Sequence, residues 1–380
     1  MTNEERFNLI TRHLEETLTP DELKTLIDSG TPLKHYIGFE ISGKVHLGTG
    51  LACLQKVKDL HDAGVEVTIF LADWHGWINN KLDGTLKTAN KMARSYFEEG
   101  LKAGYVCLGG DPDDITFILG SELYSENPNE YWSTVIQVSK ATTVSRMMRS
   151  TDIMGRQSGE SSNAATLMYP AMQAADLFTM NRNIIHAGTD QRNVHIVARD
   201  VARDLGKTKP IALHHHLIMG LKPLGDNDDL GLAKQAANIN ALTYEEKSSL
   251  ITSLKMSKSK PNSAIFITDA PEEIKQKING AYAPEGEVEF NPILDWVKHL
   301  IFYTPDSSLT IRRDEKFGGE ITYNSYKDLE KDYIEKKLHP QDLKTAVALW
   351  LIKKLEPARV YFENPARKAA LDEMEKLTNI

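Results

Sequence analysis

Two short segments carry residues suited to binding phosphate groups, although they lie far apart in the chain. The segment from His46 to Thr49 (HLGT) opens a predicted helix. The N–H groups and the dipole of a helix N-terminus attract anions. The segment from Lys255 to Ser259 (KMSKS) offers two ammonium groups. Either segment alone is explained as a capped helix or a solvated loop, but together they indicate the two halves of one nucleotide site.

The elements around these segments predict an open, doubly wound sheet. The apolar run from Val65 to Ala72 is typical of a parallel strand buried on both faces. Further strands are predicted at 35–40, 115–119, 183–187 and 211–219, with helices between them that imply right-handed crossovers. Ligands of such sheets collect at the carboxyl ends of the strands, where residues 188–191 would lie.

The rest of the chain gives the predicted domain division. Apolar residues at helical spacing predict a first helix over 3–18, and Thr19 precedes the start of a second. A chain of 380 residues exceeds one typical core, so we expect a boundary near 262 and mainly helices beyond it. The acidic and then alanine-rich stretch 224–250 has the character of an insertion.

Bulk composition limits the class of protein. Hydrophobic residues make up 41% and charged residues 26% of the chain, as in soluble globular proteins, and no apolar run reaches a membrane span of about 20 residues. We therefore expect a cytoplasmic protein that has no membrane partner. A net charge of −8 argues against non-specific coating of nucleic acid, although it leaves room for a specific complex.

Cysteine and histidine give no metal prediction. The spacing of Cys53 and Cys107 suggests neither a metal site nor a redox pair, so buried thiols are expected. In a strand, only His214 and His216 of the run His214–His216 would share a face, and no further ligand is evident nearby. No protein ligand for a metal is therefore predicted.

The two phosphate-binding segments resemble those of a known family. HLGT resembles the HIGH signature of class I aminoacyl-tRNA synthetases, and KMSKS matches their second signature at every position. The segments from Tyr36 to Lys44 and from Tyr169 to Asp176 resemble the archaeal and eukaryotic tyrosyl branch, and the similarity extends over about 30–360. Thr49 departs from the family pattern by replacing the second histidine of HIGH.

The resemblance implies both the architecture and the reaction. It implies a Rossmann-like catalytic domain over 1–262, with the insertion at 224–250 and the KMSKS loop at 255–259. It also implies an α-helical anticodon-binding domain over 263–380. The expected reaction joins tyrosine and ATP, with Mg²⁺, into tyrosyl-adenylate and pyrophosphate. Tyrosine then passes to the 3′-terminal adenosine of tRNA(Tyr), and a homodimer is expected.

The chemistry of a phenol supports tyrosine independently, because Tyr36 and Asp176 can share hydrogen bonds with its hydroxyl. The resemblance implies that the tyrosine-binding residues are Tyr36, Glu40, His75, Tyr169, Gln173, Asp176 and Gln191, although His75 also suits a structural role. It implies that the ATP-binding residues are His46, Gly48, Thr49, Gly188, Asp190, Lys255, Met256, Ser257 and Lys258. Of these, His46, Lys255 and Lys258 are expected to act in catalysis. Expected contacts to tRNA are Arg146, Arg149, Arg192, Phe317, His339 and Asp342.

Three alternatives remain open at this point. A tryptophanyl enzyme shares the fold and both signatures, but Tyr36 and Asp176 argue against it. A nucleotidyltransferase that does not bind tRNA would give Phe317, His339 and Asp342 no function. However, a structural explanation also exists, because Phe317 suits a hydrophobic core and His339 suits a helix boundary. A non-catalytic RNA-binding relative is disfavoured by the intact KMSKS segment.

Overall fold

The chain divides into two compact units, each built from more than one stretch of sequence. Unit 1 comprises Met1–Lys44, Cys53–His216 and Pro365–Ile380, and unit 2 comprises Val45–Ala52 and Leu217–Asn364. This division differs in position from the predicted boundary near 262. The computed structural model describes residues 1–151, 163–222, 243, 246, 250, 252–257 and 261–378. Lys258, Ser259 and most of the predicted insertion therefore lie outside the described residues.

Unit 1 contains a six-stranded sheet in the order β1-β6-β5-β2-β3-β4. The strands after β1 are mutually parallel, and β3 is buried along its whole length. This arrangement confirms the predicted doubly wound sheet. The strands are β1 (Leu14–Leu18), β2 (His35–Glu40), β3 (Thr68–Ala72), β4 (Thr116–Leu119), β5 (Ile184–Gly188) and β6 (Ile211–His215).

The strand order reverses between β2 and β5, which pair through His35 with Ile184 and Tyr36 with Ile185. From there the chain proceeds to β3 and β4 on one side and to β6 on the other. A crevice forms at the carboxyl ends of strands where such a reversal occurs. Both Glu40 and Gly188 end their strands at this edge.

The predicted helix over 3–18 is wrong in its second half. Helix α1 ends at Thr11, and Leu14–Leu18 forms β1, which runs antiparallel to β6 and pairs Glu16 with His214. The apolar residues Leu14 and Leu18 have helical spacing. However, an unpaired sheet edge offers a ladder of backbone hydrogen bonds that overrides local propensity. Helix α2 begins after Thr19 as predicted.

Helices surround the sheet of unit 1. The helix predicted to open at HLGT forms as a π-helical turn, Gly48–Cys53, followed by an α-helix, and the helical region after Asn127 is broken after Ala141. The α-helices are α1 (Asn3–Thr11), α2 (Pro20–Asp28), α3 (Leu54–Asp62), α4 (Asp73–Ile78), α5 (Leu86–Met92), α6 (Glu98–Cys107), α7 (Gly120–Glu126), α8 (Pro128–Ala141), α9 (Val144–Thr151), α10 (Tyr169–Thr179) and α11 (Arg192–Val201).

Unit 2 is mainly helical, and it also contains a two-stranded antiparallel sheet that the sequence did not predict. Its helix α12 begins at Pro271 as expected. Its elements are α12 (Pro271–Asn279), α13 (Pro292–Trp296), β7 (Leu309–Ile311), β8 (Ile321–Tyr323), α14 (Tyr326–Ile334), α15 (Pro340–Lys354) and α16 (Glu356–Tyr361).

The last helix, α17 (Pro365–Thr378), returns to unit 1. There Glu373 pairs with Lys91, and Arg367 pairs with Glu99. Over the described part of the chain, no helix is both long and apolar enough to span a membrane.

Candidate active site

A buried carboxyl group forms the centre of a polar cluster in unit 1. Asp176 lies on α10 and is fully buried. Its Oδ1 accepts a hydrogen bond of 2.9 Å from the Tyr131 hydroxyl, whereas Oδ2 has no hydrogen-bond partner among the described residues. Burial raises the pKa of Asp176 to about 8, and the bond from Tyr131 opposes this rise. A buried oxygen without a hydrogen-bond partner costs free energy. Oδ2 is therefore a candidate for a hydrogen bond to a ligand.

His75, on α4, lies beside this oxygen. Its Nε2 is 3.7 Å from Asp176 Oδ2, and its ring meets Tyr169 edge to face at a centroid distance of 4.4 Å. Burial lowers the pKa of His75 to about 3, so the imidazole is neutral and no ion pair forms with Asp176. Both ring nitrogens are buried without hydrogen-bond partners in the described structure. The structure thus brings together His75 and Asp176, two of the residues predicted to bind the amino acid.

Tyr36 belongs to the same cluster. Burial, followed by the negative charge of Asp176, raises the pKa of Tyr36 well above its usual value. The next residue on that face of β2 is Gly38, which is exposed although it lies in the central strand. A Cβ at position 38 would be 2.6 Å from the Tyr36 hydroxyl oxygen. Glycine therefore keeps open the space into which the phenol of Tyr36 extends.

Two tyrosines of this cluster were missed by sequence analysis. Tyr124 and Tyr131 stack with their ring centroids 4.1 Å apart, and Tyr131 carries the hydroxyl that binds Asp176. On α8, Tyr131 shares a buried face with Val135 and Val138. That pattern is typical of an ordinary core tyrosine, so nothing in the local sequence distinguished it.

The other predicted amino-acid contacts lie on α10 and at the end of β2. Tyr169 and Gln173 are one turn apart on α10, and Gln173 Oε1 is buried without a partner among the described residues. Glu40 Oε2 accepts a hydrogen bond of 2.5 Å from Asn79, a residue the sequence analysis did not select. The charge of Glu40 contributes to the raised pKa of Tyr169, after burial. Polar groups therefore converge near Tyr169.

The end of β5 carries three further predicted residues. Gly188 is the last residue of the strand, and Asp190 and Gln191 lie in the single 3-10 turn that follows. Burial raises the pKa of Tyr169 and lowers that of His215, and the negative charge of Asp190 adds to the first shift and opposes the second. The charge of Asp190 therefore acts on both residues.

Both signature segments belong to unit 2, where neighbouring backbone segments hold them. His46 bridges to Phe266, and Leu47 N–H donates to Ile265 O at 3.0 Å. Lys255 bridges to Met219 in the same way, and Met256 N–H donates to Ile218 O at 2.9 Å.

A backbone hydrogen bond links the two segments that support His46 and Lys255. Leu221 N–H donates to the carbonyl oxygen of Ser263 at 2.8 Å. This bond joins the strand-like segment 218–221, which supports Lys255, to the segment 263–267, which supports His46. Two distant parts of the sequence therefore share one scaffold. Lys258 lies outside the described residues.

The helix start at His46 differs from the expectation in one respect. The predicted anion site needs unpaired N–H groups, but Gly48 N–H donates to His46 Nδ1 at 3.1 Å, and those of Thr49 and Gly50 both donate to His46 O. The two bonds to His46 O span three and four residues, as in 3-10 and α-helical turns, and they satisfy these donors at the start of the π-helical turn. Because Nδ1 accepts, the ring proton of neutral His46 lies on Nε2, which makes Nε2 the hydrogen-bond donor of this motif.

Gly50 is a further residue that the sequence analysis did not select. A Cβ at this position would lie 2.8 Å from a Val45 methyl group and 2.6 Å from one of Ile267. The motif can therefore pack against the segment 263–267 only when position 50 has no side chain.

Of the predicted anticodon residues, Phe317 and His339 are exposed and Asp342 is half-buried, and local backbone contacts hold them. Phe317 is 63% exposed at the end of a 3-10 turn, and Gly318 follows in the left-handed conformation with φ 97°. His339 caps α15, its Nδ1 accepting from Gln341 N–H at 3.1 Å, and Asp342 lies in the first turn. Arg313, which we had not selected, donates to Gly319 O and to Lys337 O and so connects the two regions.

The three arginines that were predicted to contact tRNA differ in whether they pair with a carboxylate. Arg192 pairs with Glu16 at 2.8 Å, and Arg146 pairs with Asp200, whereas Arg149 is exposed on α9. The first two already have carboxylate partners, which an RNA phosphate would have to displace.

The histidines of β6 take part in hydrogen-bond chains. His214 contacts Glu16 at 2.8 Å and His195 at 3.0 Å. His215 contacts His186 at 2.7 Å and Cys53 Sγ at 3.2 Å. Burial lowers the pKa of His215 to about 3, so this ring is neutral.

Comparison with known proteins agrees with this geometry. The family described as tRNA synthetases class I (W and Y) matches residues 28–227 and 232–356. A tyrosine–tRNA ligase of Thermococcus sibiricus is 48% identical over 96% of both chains, and one of Pyrococcus abyssi is 47% identical over the full length of both. The crystal structure of the tyrosyl-tRNA synthetase of Pyrococcus horikoshii with L-tyrosine is 45% identical, with a TM-score of 0.88 over the full length of both.

The chain belongs to the class I tRNA synthetases, and its sheet has their Rossmann-like fold. A tryptophanyl-tRNA synthetase from Encephalitozoon cuniculi shares the fold at only 18% identity, with a TM-score of 0.63. Within the family, the chain falls in the tyrosyl branch and is an enzyme with tyrosine–tRNA ligase activity.

Proposed function

We propose that the polar cluster of unit 1 is the pocket in which this ligase binds the side chain of its amino acid. The observation that carries the proposal is Asp176 Oδ2, a buried oxygen without a partner in the described structure. A phenol hydroxyl satisfies it in either protonation state, because a carboxylate oxygen accepts a hydrogen bond and an acid hydroxyl donates one. Tyr36 contributes the second hydrogen bond to the same hydroxyl.

This pocket selects against phenylalanine by leaving its own polar groups unpaired. Phenylalanine would occupy the same apolar walls but offer nothing to Asp176 Oδ2 or to Tyr36. A buried polar group that loses its partner costs about 1–3 kcal/mol. A neutral His75, packed against Tyr169, lines the pocket without adding a charge that would hold Asp176 ionised.

The polar end of the amino acid is assigned to the residues around Tyr169. Its ammonium group needs acceptors, which Gln173 Oε1, Gln191 and the Tyr169 hydroxyl supply. Glu40 adds a negative charge nearby and is held in place by Asn79. The α-carboxylate then remains available to attack the α-phosphate of ATP, with no side-chain base needed because it is already ionised.

The ATP contacts are assigned separately in the two units. In unit 1, Gly188 permits close approach to the backbone and Asp190 accepts from ribose hydroxyls. In unit 2, His46 donates from Nε2, while Gly48, Thr49, Met256 and Ser257 shape the site. Lys255 and Lys258 stabilise the negative charge that develops on pyrophosphate. The nucleotide substrate is MgATP, in which the phosphates hold the metal without a protein ligand.

Roles in tRNA binding are assigned by exposure and chemistry. Phe317 and His339 stack on an anticodon base, and Asp342 accepts from its edge, as single-stranded RNA bases are commonly bound. We therefore assign anticodon binding to 263–380, of which the last helix α17 belongs to unit 1, and catalysis to 1–262. Arg146, Arg149 and Arg192 are assigned to the acceptor stem. The place of this reaction is the cytoplasm, where tRNA and ATP meet.

An apolar surface on unit 1 supports a homodimer. The helices α8 and α9 and the 3-10 turn Ala164–Met168 pack on one another and on α10. Large apolar side chains are left in solvent there, an unusual feature for a monomer surface. The exposed side chains are Ile136, Val144, Met148, Leu167 and Met168.

Amino-acid-dependent exchange of pyrophosphate into ATP tests the proposal. Each of the twenty amino acids is supplied with and without tRNA(Tyr). We expect tyrosine, and no other amino acid, to support exchange. We expect transfer of tyrosine only when tRNA(Tyr) is present. Exchange supported by tryptophan in place of tyrosine would contradict the pocket assignment, and absence of exchange with every amino acid would favour a non-catalytic relative.

A further inference from the structure

A groove in unit 2 lies outside every residue assigned so far. It is formed between α12 and α15 and encloses about 430 Å³, within the range of roughly 300–1,000 Å³ found for sites of small molecules. Its lining residues are Lys275, Gln276, Ile278, Asn279, Gln341, Lys344, Thr345, Ala348 and Leu349.

The groove combines an apolar base with polar edges. Ile278 and Ala348 are buried at the base, and Leu349 is half exposed. Gln341 Nε2 donates to Asn279 Oδ1 at 2.8 Å, which leaves one amide oxygen and one amide nitrogen of this pair for a ligand. A planar base with a hydrogen-bonding edge fits such a surface, because apolar contact suits its face and amides suit its edge.

The charge of the groove is positive. Lys344 Nζ contacts the carbonyl oxygen of Asn279 at 3.1 Å, and partial burial lowers the pKa of Lys344. Lys275 is exposed on the other helix, where its Nζ lies 3.8 Å from Glu272 Oε1, and no carboxylate is among the lining residues. Two ammonium groups on opposite sides of the groove suit a phosphodiester that crosses it.

The groove begins where the assigned anticodon residues lie on α15. His339 caps the helix through Gln341 N–H, Gln341 lines the groove, and Asp342 is the next residue. Gln341, Thr345 and Ala348 follow at spacings of four and three, so the groove runs along one helix face from that first turn. RNA bound at Asp342 therefore has this groove beside it.

We propose that the groove between α12 and α15 binds the nucleotide of the anticodon loop adjacent to the base at Asp342. The base rests on Ile278, Ala348 and Leu349, the amides of Asn279 and Gln341 contact its edge, and the two lysines contact its phosphate. This inference rests on the proposed anticodon contact of Asp342 and extends it by a second nucleotide.

The test measures the Kd of the full-length protein for an RNA hairpin that carries the anticodon stem and loop of tRNA(Tyr). Thr345→Glu and Thr345→Lys form a matched pair at an exposed groove position, with similar bulk and opposite charge. We expect Thr345→Glu to raise the Kd about tenfold and Thr345→Lys to leave it unchanged or lower it. Lys344→Gln should raise the Kd and reduce the slope of log Kd against log salt by about 0.7–0.9.

Lys353→Gln is the matched control for Lys344→Gln, because Lys353 is exposed on the same helix outside the groove. It should leave the Kd unchanged. An equal effect of both Thr345 variants would show a structural rather than an electrostatic role and overturn the inference. No effect of the groove variants, when Asp342→Ala weakens binding, would also overturn it and leave the proposed function standing. Failure of Asp342→Ala itself to weaken binding would instead contradict the anticodon assignment.

Discussion

The proposed amino-acid pocket of unit 1 and the proposed anticodon region of unit 2 would recognise their ligands in opposite ways. Around Asp176, the functional groups are buried and neutral, and their unsatisfied atoms face inward. Around Phe317, the groups are exposed, and backbone caps and turns hold them. A small ligand can be enclosed completely, so unpaired buried atoms provide selectivity. An RNA loop cannot be enclosed, so exposed rings and charges must provide it.

Removal of the buried carboxyl group should have the largest effect. We expect Asp176→Ala to lower the kcat/KM of tyrosine-dependent pyrophosphate exchange more than a hundredfold, about 3 kcal/mol, because the ligand hydroxyl loses its buried partner. Phenylalanine should then compete with tyrosine. Near-ultraviolet circular dichroism checks that the fold persists. Unchanged discrimination between the two amino acids would count against the pocket.

The next prediction concerns Lys255, a proposed ATP contact of unit 2 that would act in the first reaction step. Lys255→Ala should lower the kcat of exchange about a hundredfold, because charge on the leaving pyrophosphate loses a stabilising ammonium group. The KM for tyrosine should be unchanged. Lys298→Ala, which alters an exposed lysine of unit 2, serves as the control. A rise in tyrosine KM without a fall in kcat would argue for a role in tyrosine binding instead.

The proposed RNA contact of Asp342 should give a smaller effect, confined to the second step. Asp342→Ala should lower the kcat/KM for tRNA charging about tenfold, or 1.4 kcal/mol, and spare adenylate formation. Asp306→Ala, at an exposed carboxylate of the same unit, should change neither rate. Equal losses in both steps would sink the anticodon assignment.

A smaller effect is expected at Tyr131, whose hydroxyl donates a hydrogen bond to Asp176. Tyr131→Phe removes the donor to Asp176 Oδ1 but keeps the stacked ring, so the KM for tyrosine should rise about fivefold, roughly 1 kcal/mol. Tyr105→Phe, at another buried tyrosine of unit 1, is the matched control. If both variants behave alike, Tyr131 has only a packing role.

A separate prediction concerns the pH dependence of stability rather than a reaction rate. Since burial raises the pKa of Asp176 to about 8 in the folded protein, that state binds more protons than the unfolded chain above pH 4. The free energy of unfolding should therefore fall as pH rises from about 4 to about 8, by at most ~1.4 kcal/mol per pH unit from this group. Asp176→Asn should reduce that slope in urea titrations, and an unchanged slope would show that Asp176 ionises normally.

The sequence indicated correctly those features that depend on local pattern. Alternation and apolar runs predicted β2, β3 and β5, and Thr19-Pro20 predicted the start of α2. The structure brings Tyr36, His75 and Asp176 into one cluster, and their role in binding the amino acid stays a prediction. The HLGT and KMSKS segments together indicated the family, which the family comparison confirms.

Tertiary structure decided what no local pattern contains. Leu14–Leu18 became a strand because the edge of β6 was available, and Tyr131 became a partner of Asp176 because α8 packs on α10. The N–H groups of Gly48, Thr49 and Gly50 were occupied because His46, held by the segment 263–267, accepts from them through its ring and its carbonyl oxygen. Each outcome depends on which distant groups become neighbours, and hydrogen bonds and burial act only between groups that the fold brings together.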